Sequence, residues 1–159
     1  MKRLLVFLMI VVSMLLFAVP TMAVQITGLV YSEELDGEYG TWKPLSNQFT
    51  VGDRFFIMVP FRGATVKGER PNRGLGLETL LTLIAPDGTK IYNETSTGLY
   101  DVATQTFDPN QASFYVEFII QNWMPTGKYI IVITICDHLN QTVDSIQSSF
   151  DIVALPRKI

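Results

Sequence analysis

The sequence predicts an all-β fold: an antiparallel β-sandwich of about seven strands, preceded by an N-terminal leader. Three observations carry that expectation. The first is the stretch Tyr129-Ile130-Ile131-Val132-Ile133-Thr134-Ile135-Cys136, launched by Pro125-Thr126-Gly127-Lys128. Its residues are nearly all β-branched or aromatic, which is strand composition. The second is that no stretch after the leader has convincing apolar spacing at three and four residues, and Gly or Pro interrupts most windows long enough for a helix. The third is a succession of short β-rich segments divided by turn chemistry, a pattern that favours a sandwich over a barrel.

The leader is residues 1–23. Met1-Lys2-Arg3 is positively charged, Leu4 to Val19 is uncharged and apolar, and Pro20 is followed by the small-residue pattern Thr21-Met22-Ala23. This is the layout of a secretory signal peptide cleaved after Ala23. The alternative is an uncleaved anchor, although sixteen residues at ~1.5 Å each reach only about 24 Å across a ~30 Å hydrocarbon core.

After the leader, Val24 to Tyr31 predicts the first strand, and residues 32–47 a polar loop. Gln48 to Val51 is short and extended, and Gly52-Asp53 turns the chain into a strand from Arg54 to Phe61. Pro60 cannot donate to a ladder, which predicts a strand end or a sheet edge there. Residues 62–76 read as irregular. Leu77 to Ala85 is apolar on both faces and predicts a central strand; Pro86-Asp87-Gly88 turns it back into Thr89 to Glu94. A second polar loop is expected from Ser96 to Gln111. In Ala112 to Ile120, the residues Phe114, Val116, Phe118 and Ile120 share one face, while Ser113, Tyr115 and Glu117 share the other. Tyr129 to Cys136 follows, with Tyr129, Ile131, Ile133 and Ile135 facing the core. The opposite row contains Ile130 and Val132, an apolar strip that would need a cover. Asp137-His138-Leu139-Asn140 closes a hairpin into Thr142 to Val153, with Ile146, Phe150 and Ile152 inward.

Composition narrows the functional classes. The chain has 159 residues with a formal charge of −3; without Lys2 and Arg3, ten basic residues face 15 acidic ones. An acidic product of this kind is unsuited to general binding of a nucleic-acid backbone. Cys136 is the only cysteine. No internal disulfide can form, so the core alone must stabilise the domain, and the lone thiol could instead join two chains.

Four turn and strand motifs carry a resemblance. Phe49-Thr50-Val51-Gly52-Asp53 precedes an aromatic strand; Leu83-Ile84-Ala85-Pro86-Asp87-Gly88-Thr89-Lys90 forms a hairpin; Pro125-Thr126-Gly127-Lys128-Tyr129 enters the penultimate strand; and Phe150-Asp151-Ile152-Val153 ends the last. Together they resemble bacterial and archaeal immunoglobulin-like modules of the macroglobulin and fibronectin-III type, over residues 48–153. The resemblance implies an immunoglobulin-like sandwich and transfers no catalytic residue. The Cys–Trp–Cys signature of antibody-type domains is absent.

Candidates for chemistry are few. His138 is the only histidine, and no hydrolase, zinc-protease or phosphate-loop motif is present. Cys136-Asp137-His138 gathers a thiol, a carboxylate and an imidazole, but positions 136 and 138 on a straight strand lie ~6.6 Å apart, too far for a nucleophile and its base. Glu33, Glu34, Asp36 and Glu38 are candidate calcium ligands, or simply a solvated acidic loop. Arg62, Lys67, Arg70 and Arg73 form a basic, glycine-rich stretch suited to an anionic partner. Tyr31, Tyr39, Trp42 and Trp123 could stack on sugar rings or cap the sandwich core. Asn93 and Asn140 open N-glycosylation sequons near expected turns.

The expectation is therefore a secreted or cell-surface module without catalytic activity, occupying residues 24–155, with a short basic tail at 156–159. It would serve as a binding or structural unit, such as an accessory subunit in an envelope complex. Its partner would be another envelope or extracellular protein or a polysaccharide. No cofactor and no nucleic acid are implied, and membrane contact would come only through an uncleaved leader. A second reading is carbohydrate recognition through Trp42, Trp123 and the basic stretch. A third is an enzyme using loop carboxylates such as Asp36 or Glu38.

Overall fold

A computed structural model describes residues 23–33, 44–68, 74–101, 108 and 111–154. These form ten strands: β1 Gln25–Ile26, β2 Val30–Ser32, β3 Gln48–Phe49, β4 Arg54–Arg62, β5 Val66–Lys67, β6 Gly74–Ile84, β7 Lys90–Asp101, β8 Ala112–Ile119, β9 Gly127–Asp137 and β10 Thr142–Ile152. The fold is all-β, with two sheets packed as a sandwich. Strands β1, β2, β4 and β8 make the smaller sheet; β3, β10, β9, β6, β5 and β7 make the larger. The count exceeds seven because β1, β3 and β5 are two-residue ladders at the margins of longer pairings.

Register defines the edges. In the smaller sheet, β8 runs along one side of β4, while β1 and β2 follow each other along the opposite side. In the larger sheet β7 lines one side of β6. Strands β9 and β5 lie end to end along its other side. Residues of both sheets' inner faces meet in one core that includes Phe55, Ile57, Val59, Leu81, Leu83, Ile131, Ile133 and Phe150. Tyr129, Ile131, Ile133 and Ile135 are completely buried, as alternation requires. An aromatic cluster anchors this core. Phe49 stacks on Phe55 at 3.8 Å between ring centroids, and Tyr129 on Phe150 at 5.4 Å.

Several expectations are corrected. The first strand is divided into β1 and β2. The cause is Pro60, which lies inside β4 with strands on both sides rather than at an end or an edge. Its carbonyl accepts a hydrogen bond from Thr27 N at 2.9 Å, so its missing N–H faces the same gap between β1 and β2, where no ladder bond is required. The sheets are not wholly antiparallel, because β3 pairs with β10 in parallel. Residues 74–76 and 96–101, expected in loops, are paired strand: β7 follows β6 as far as Gly74↔Asp101. Asn93 accordingly pairs with Thr82 inside a ladder rather than near a turn, whereas Asn140 does lie in the hairpin turn.

Asp137 is not the first residue of a turn but the last inward position of β9, with 1% of its surface exposed. Its carboxylate accepts hydrogen bonds from Thr65 N at 2.7 Å, Leu139 N at 3.0 Å and Asn140 N at 3.3 Å. It thereby joins the end of β9 to the start of β5 and also caps the hairpin. On the outer face of this sheet, Ile130 and Val132 are half-buried. Each lies between neighbours on the flanking strands: Ile84 and Ser149 beside Ile130, Thr82 and Gln147 beside Val132.

Candidate functional site

The open side of the sandwich, between β7 of one sheet and β8 of the other, holds a cleft of about 220 Å³. Leu83 and Met124 form buried parts of its wall. Ile91 and Tyr92 come from β7, and Val116, Glu117, Phe118 and Ile119 from β8. Gln121 and Trp123 complete it from the turn between β8 and β9. Trp123 is 62% exposed, Ile119 48% and Tyr92 40%, a concentration of apolar surface at the cleft mouth.

The turn that presents Trp123 is held at several points. Ile120 N donates to Asp53 O, and Gly52 N donates back to Ile120 O, both at 2.9 Å. Asp53 itself accepts from Thr50 N at 2.7 Å. Met124 N donates to Gln121 O at 3.1 Å, and the Met124 side chain is buried in the core. Beyond the turn, the Tyr129 hydroxyl donates to Pro125 O at 2.8 Å. Burial raises the Tyr129 pKa above the usual phenol value, and the negative charge of Asp87 adds to that effect. Backbone hydrogen bonds and the buried Met124 side chain thus fix the turn, and the Trp123 side chain is left outside.

Polar groups around the cleft are limited. Glu117 Oε1 meets Arg54 Nε at 2.6 Å, and Arg54 also lies over the Phe56 ring, 5.4 Å from its centroid. Gln121 Nε2 donates to Ile119 O at 3.5 Å, a long contact. The Tyr92 ring meets Phe118 edge to face at 6.2 Å.

The other sequence candidates fall elsewhere. Arg62 and Arg54 stand at opposite ends of β4, about 26 Å apart at ~3.3 Å per residue, so Arg62 and Trp123 do not form one site. Arg62 instead donates from Nε and Nη2 to Gln25 Oε1 at 2.9 and 2.7 Å. It lines a separate open depression with Gly63, Val143 and Asp144. Lys67 is exposed on β5. Glu33 is exposed at the start of its loop. Residues Glu34, Asp36, Glu38, Tyr39, Trp42, Arg70 and Arg73 lie outside the described residues, as does the leader apart from Ala23. Tyr31 is a core residue rather than an exposed platform; its hydroxyl donates to Ser148 Oγ at 2.9 Å.

The Cys136-Asp137-His138 triplet is not assembled into a relay. Asp137 faces inward, while His138 Nε2 meets Glu78 Oε2 at 2.6 Å on the outside. Cys136 is a half-buried free thiol directly across from Glu78. Among the described residues, no group of three or more His, Cys, Asp or Glu side chains is arranged to hold a metal ion. Sequence reasoning named Trp123 but missed Tyr92 and Ile119, which converge with it. It also missed Asp137 as a structural carboxylate, although inward parity with Ile133 and Ile135 was the available signal.

No protein-family model matches the chain, and no curated protein does so. Solved structures give distant likenesses. An alkylpurine DNA glycosylase from Pseudomonas fluorescens is 11% identical with a TM-score of 0.46, over 89% of this chain and 33% of that one. A beta-glucuronidase from Bacteroides uniformis is 14% identical with a TM-score of 0.43, over 82% and 13%. The C-terminal domain of wzt is 9% identical with a TM-score of 0.45, over 86% and 75%. This chain spans about a third of the glycosylase and a smaller part of the glucuronidase.

Proposed function

We propose that the protein is an exported, immunoglobulin-like sandwich that acts as a non-catalytic binding module of the cell surface or extracytoplasmic space. The observation that carries this reading is Trp123, displayed on a tied-down turn beside an apolar cleft between the two sheet edges. A large exposed aromatic in a fixed position loses little conformational freedom on binding. The immunoglobulin-like assignment draws support from Tyr129, at the start of the penultimate strand, whose hydroxyl bonds back to Pro125 O. Immunoglobulin domains use a tyrosine corner of this kind. Export rests on the charge and hydropathy layout of residues 1–23. The partner would be an envelope or extracellular protein or a polysaccharide.

Three measurements test the reading. A reporter enzyme active only outside the cytoplasm, fused after residue 60, should be active with the leader and inactive without it. Intact-mass analysis of the secreted chain should find Val24 at its N-terminus if the leader is cleaved. Ligands captured from native envelope should be lost on Trp123→Ala with Tyr92→Ala while the melting temperature is kept. Equal capture by wild type and the double variant would remove the cleft from the proposal.

A further inference from the structure

We infer that the cleft binds a neutral saccharide, seating one pyranose ring against the Trp123 indole. This rests on the reading of the cleft as the binding surface. Size is the first argument. At about 220 Å³ the cleft is smaller than the roughly 300–1,000 Å³ of drug-sized sites, and suits a single six-membered ring with the rest of a chain running out along the open side.

Chemistry is the second. A pyranose presents apolar C–H faces and a rim of hydroxyls. The cleft mouth offers matching surfaces: Trp123, Tyr92 and Ile119 are apolar and exposed, and Glu117 and Gln121 stand beside them with oxygen and nitrogen atoms. No aromatic contact within the fold occupies the Trp123 ring among the described residues, and its exposed indole N–H is free to donate to a ligand. Glu117 Oε1 is engaged by Arg54, leaving Oε2 to accept from a hydroxyl.

Charge is the third and decides the class. Among the described residues, Glu117 is the only charged side chain lining the cleft, and Arg54 pairs with it at 2.6 Å. Among the described residues no cation lines the cleft to meet a phosphate, sulfate or uronate: Lys90 precedes the lining residue Ile91 without lining the cleft itself, and Arg62 and Lys67 belong to the other end of the fold. A protein partner fits less well. Specific protein interfaces bury on the order of 1,200 Å² or more in total, far beyond what a cleft for one ring supplies.

The test is titration of the purified chain with a panel of neutral oligosaccharides of gluco, galacto and manno configuration, with uronate-containing oligosaccharides alongside. Binding is read by calorimetry. At least one neutral series should bind, with affinity falling about tenfold or more in Trp123→Ala and in Tyr92→Ala. Trp123→Phe should restore part of it, and Arg62→Ala should leave it unchanged. Trp123 is exposed, so its variants should keep the wild-type melting temperature, whereas Tyr92→Ala also gives up the contact with Phe118; melting is measured in parallel for each. The inference is overturned if no neutral saccharide binds, if Trp123→Ala binds as wild type, or if binding is confined to uronates. Should saccharides fail while a captured envelope protein still depends on Trp123, the saccharide inference falls and the cleft remains a binding surface. If both fail, the cleft reading falls with it.

Discussion

Replacing Asp137 with Ala tests the joint between β9, β5 and the hairpin. The carboxylate is buried, and its three backbone donors include Thr65 N at 2.7 Å, which belongs to a different part of the chain. Without it, Thr65 N–H loses a charge-assisted partner in a half-buried position, costing about 1–3 kcal/mol. Leu139 N and Asn140 N sit in the turn, where water can replace much of what is lost. We assign about 1 kcal/mol to the pair, and about 3 kcal/mol to the whole substitution. A domain of roughly 130 residues unfolds with an entropy of about 0.28 kcal/mol/K, so the midpoint should fall by about 10 °C. Calorimetry and urea denaturation should agree on that loss. Asp137→Asn retains one carbonyl acceptor for Thr65 N and should lose less than Ala. A loss under about 1 kcal/mol in Asp137→Ala would refute the claim that this carboxylate holds the strand ends together.

Two further predictions concern other parts of the fold. Gly127 has φ +135°, and a Cβ there would meet Pro86 Cγ at 2.8 Å; Gly127→Ala should therefore cost about 2–4 kcal/mol in denaturation experiments, and a neutral result would refute the tight packing of these two turns. Burial raises the pKa of Tyr31, partly opposed by its bond to Ser148, and burial also raises that of Tyr129, both from an ordinary value of 10.0. The folded state holds these protons more tightly. Stability from this source is full below pH 10 and declines as pH rises above it, because the unfolded chain ionises first. Tyr31→Phe should cost about 1 kcal/mol at neutral pH through the lost hydroxyl bond and flatten the alkaline decline; an unchanged alkaline slope would refute the assignment.

Much of the sandwich was legible because alternation is a local property. Composition marked β9, parity sorted Phe114, Val116, Phe118 and Ile120 from Ser113, Tyr115 and Glu117, and Pro86-Asp87-Gly88 announced its turn. The same parity placed Asp137 inward, but the preference of Asp for turns suggested otherwise; the buried carboxylate became intelligible only once β5 supplied Thr65 N as its partner. Pro60 read as an edge because a missing donor usually needs one, and only the break between β1 and β2 explains its place inside β4. Residues 96–101 read as loop, and the long β6 ladder made them strand.

By itself, then, the sequence determined the all-β class, the faces of the principal strands and the positions of several turns, since those depend on neighbours one or two residues away. The tertiary structure alone decided which strand edges meet. Tyr92 and Trp123 come from different parts of the chain, and no local pattern relates them. They share a cleft because β7 and β8 are the edge strands of two packed sheets on the same open side. The same sheet order puts Arg62 at the far end of β4, separating the basic and aromatic candidates that the sequence could not place in space.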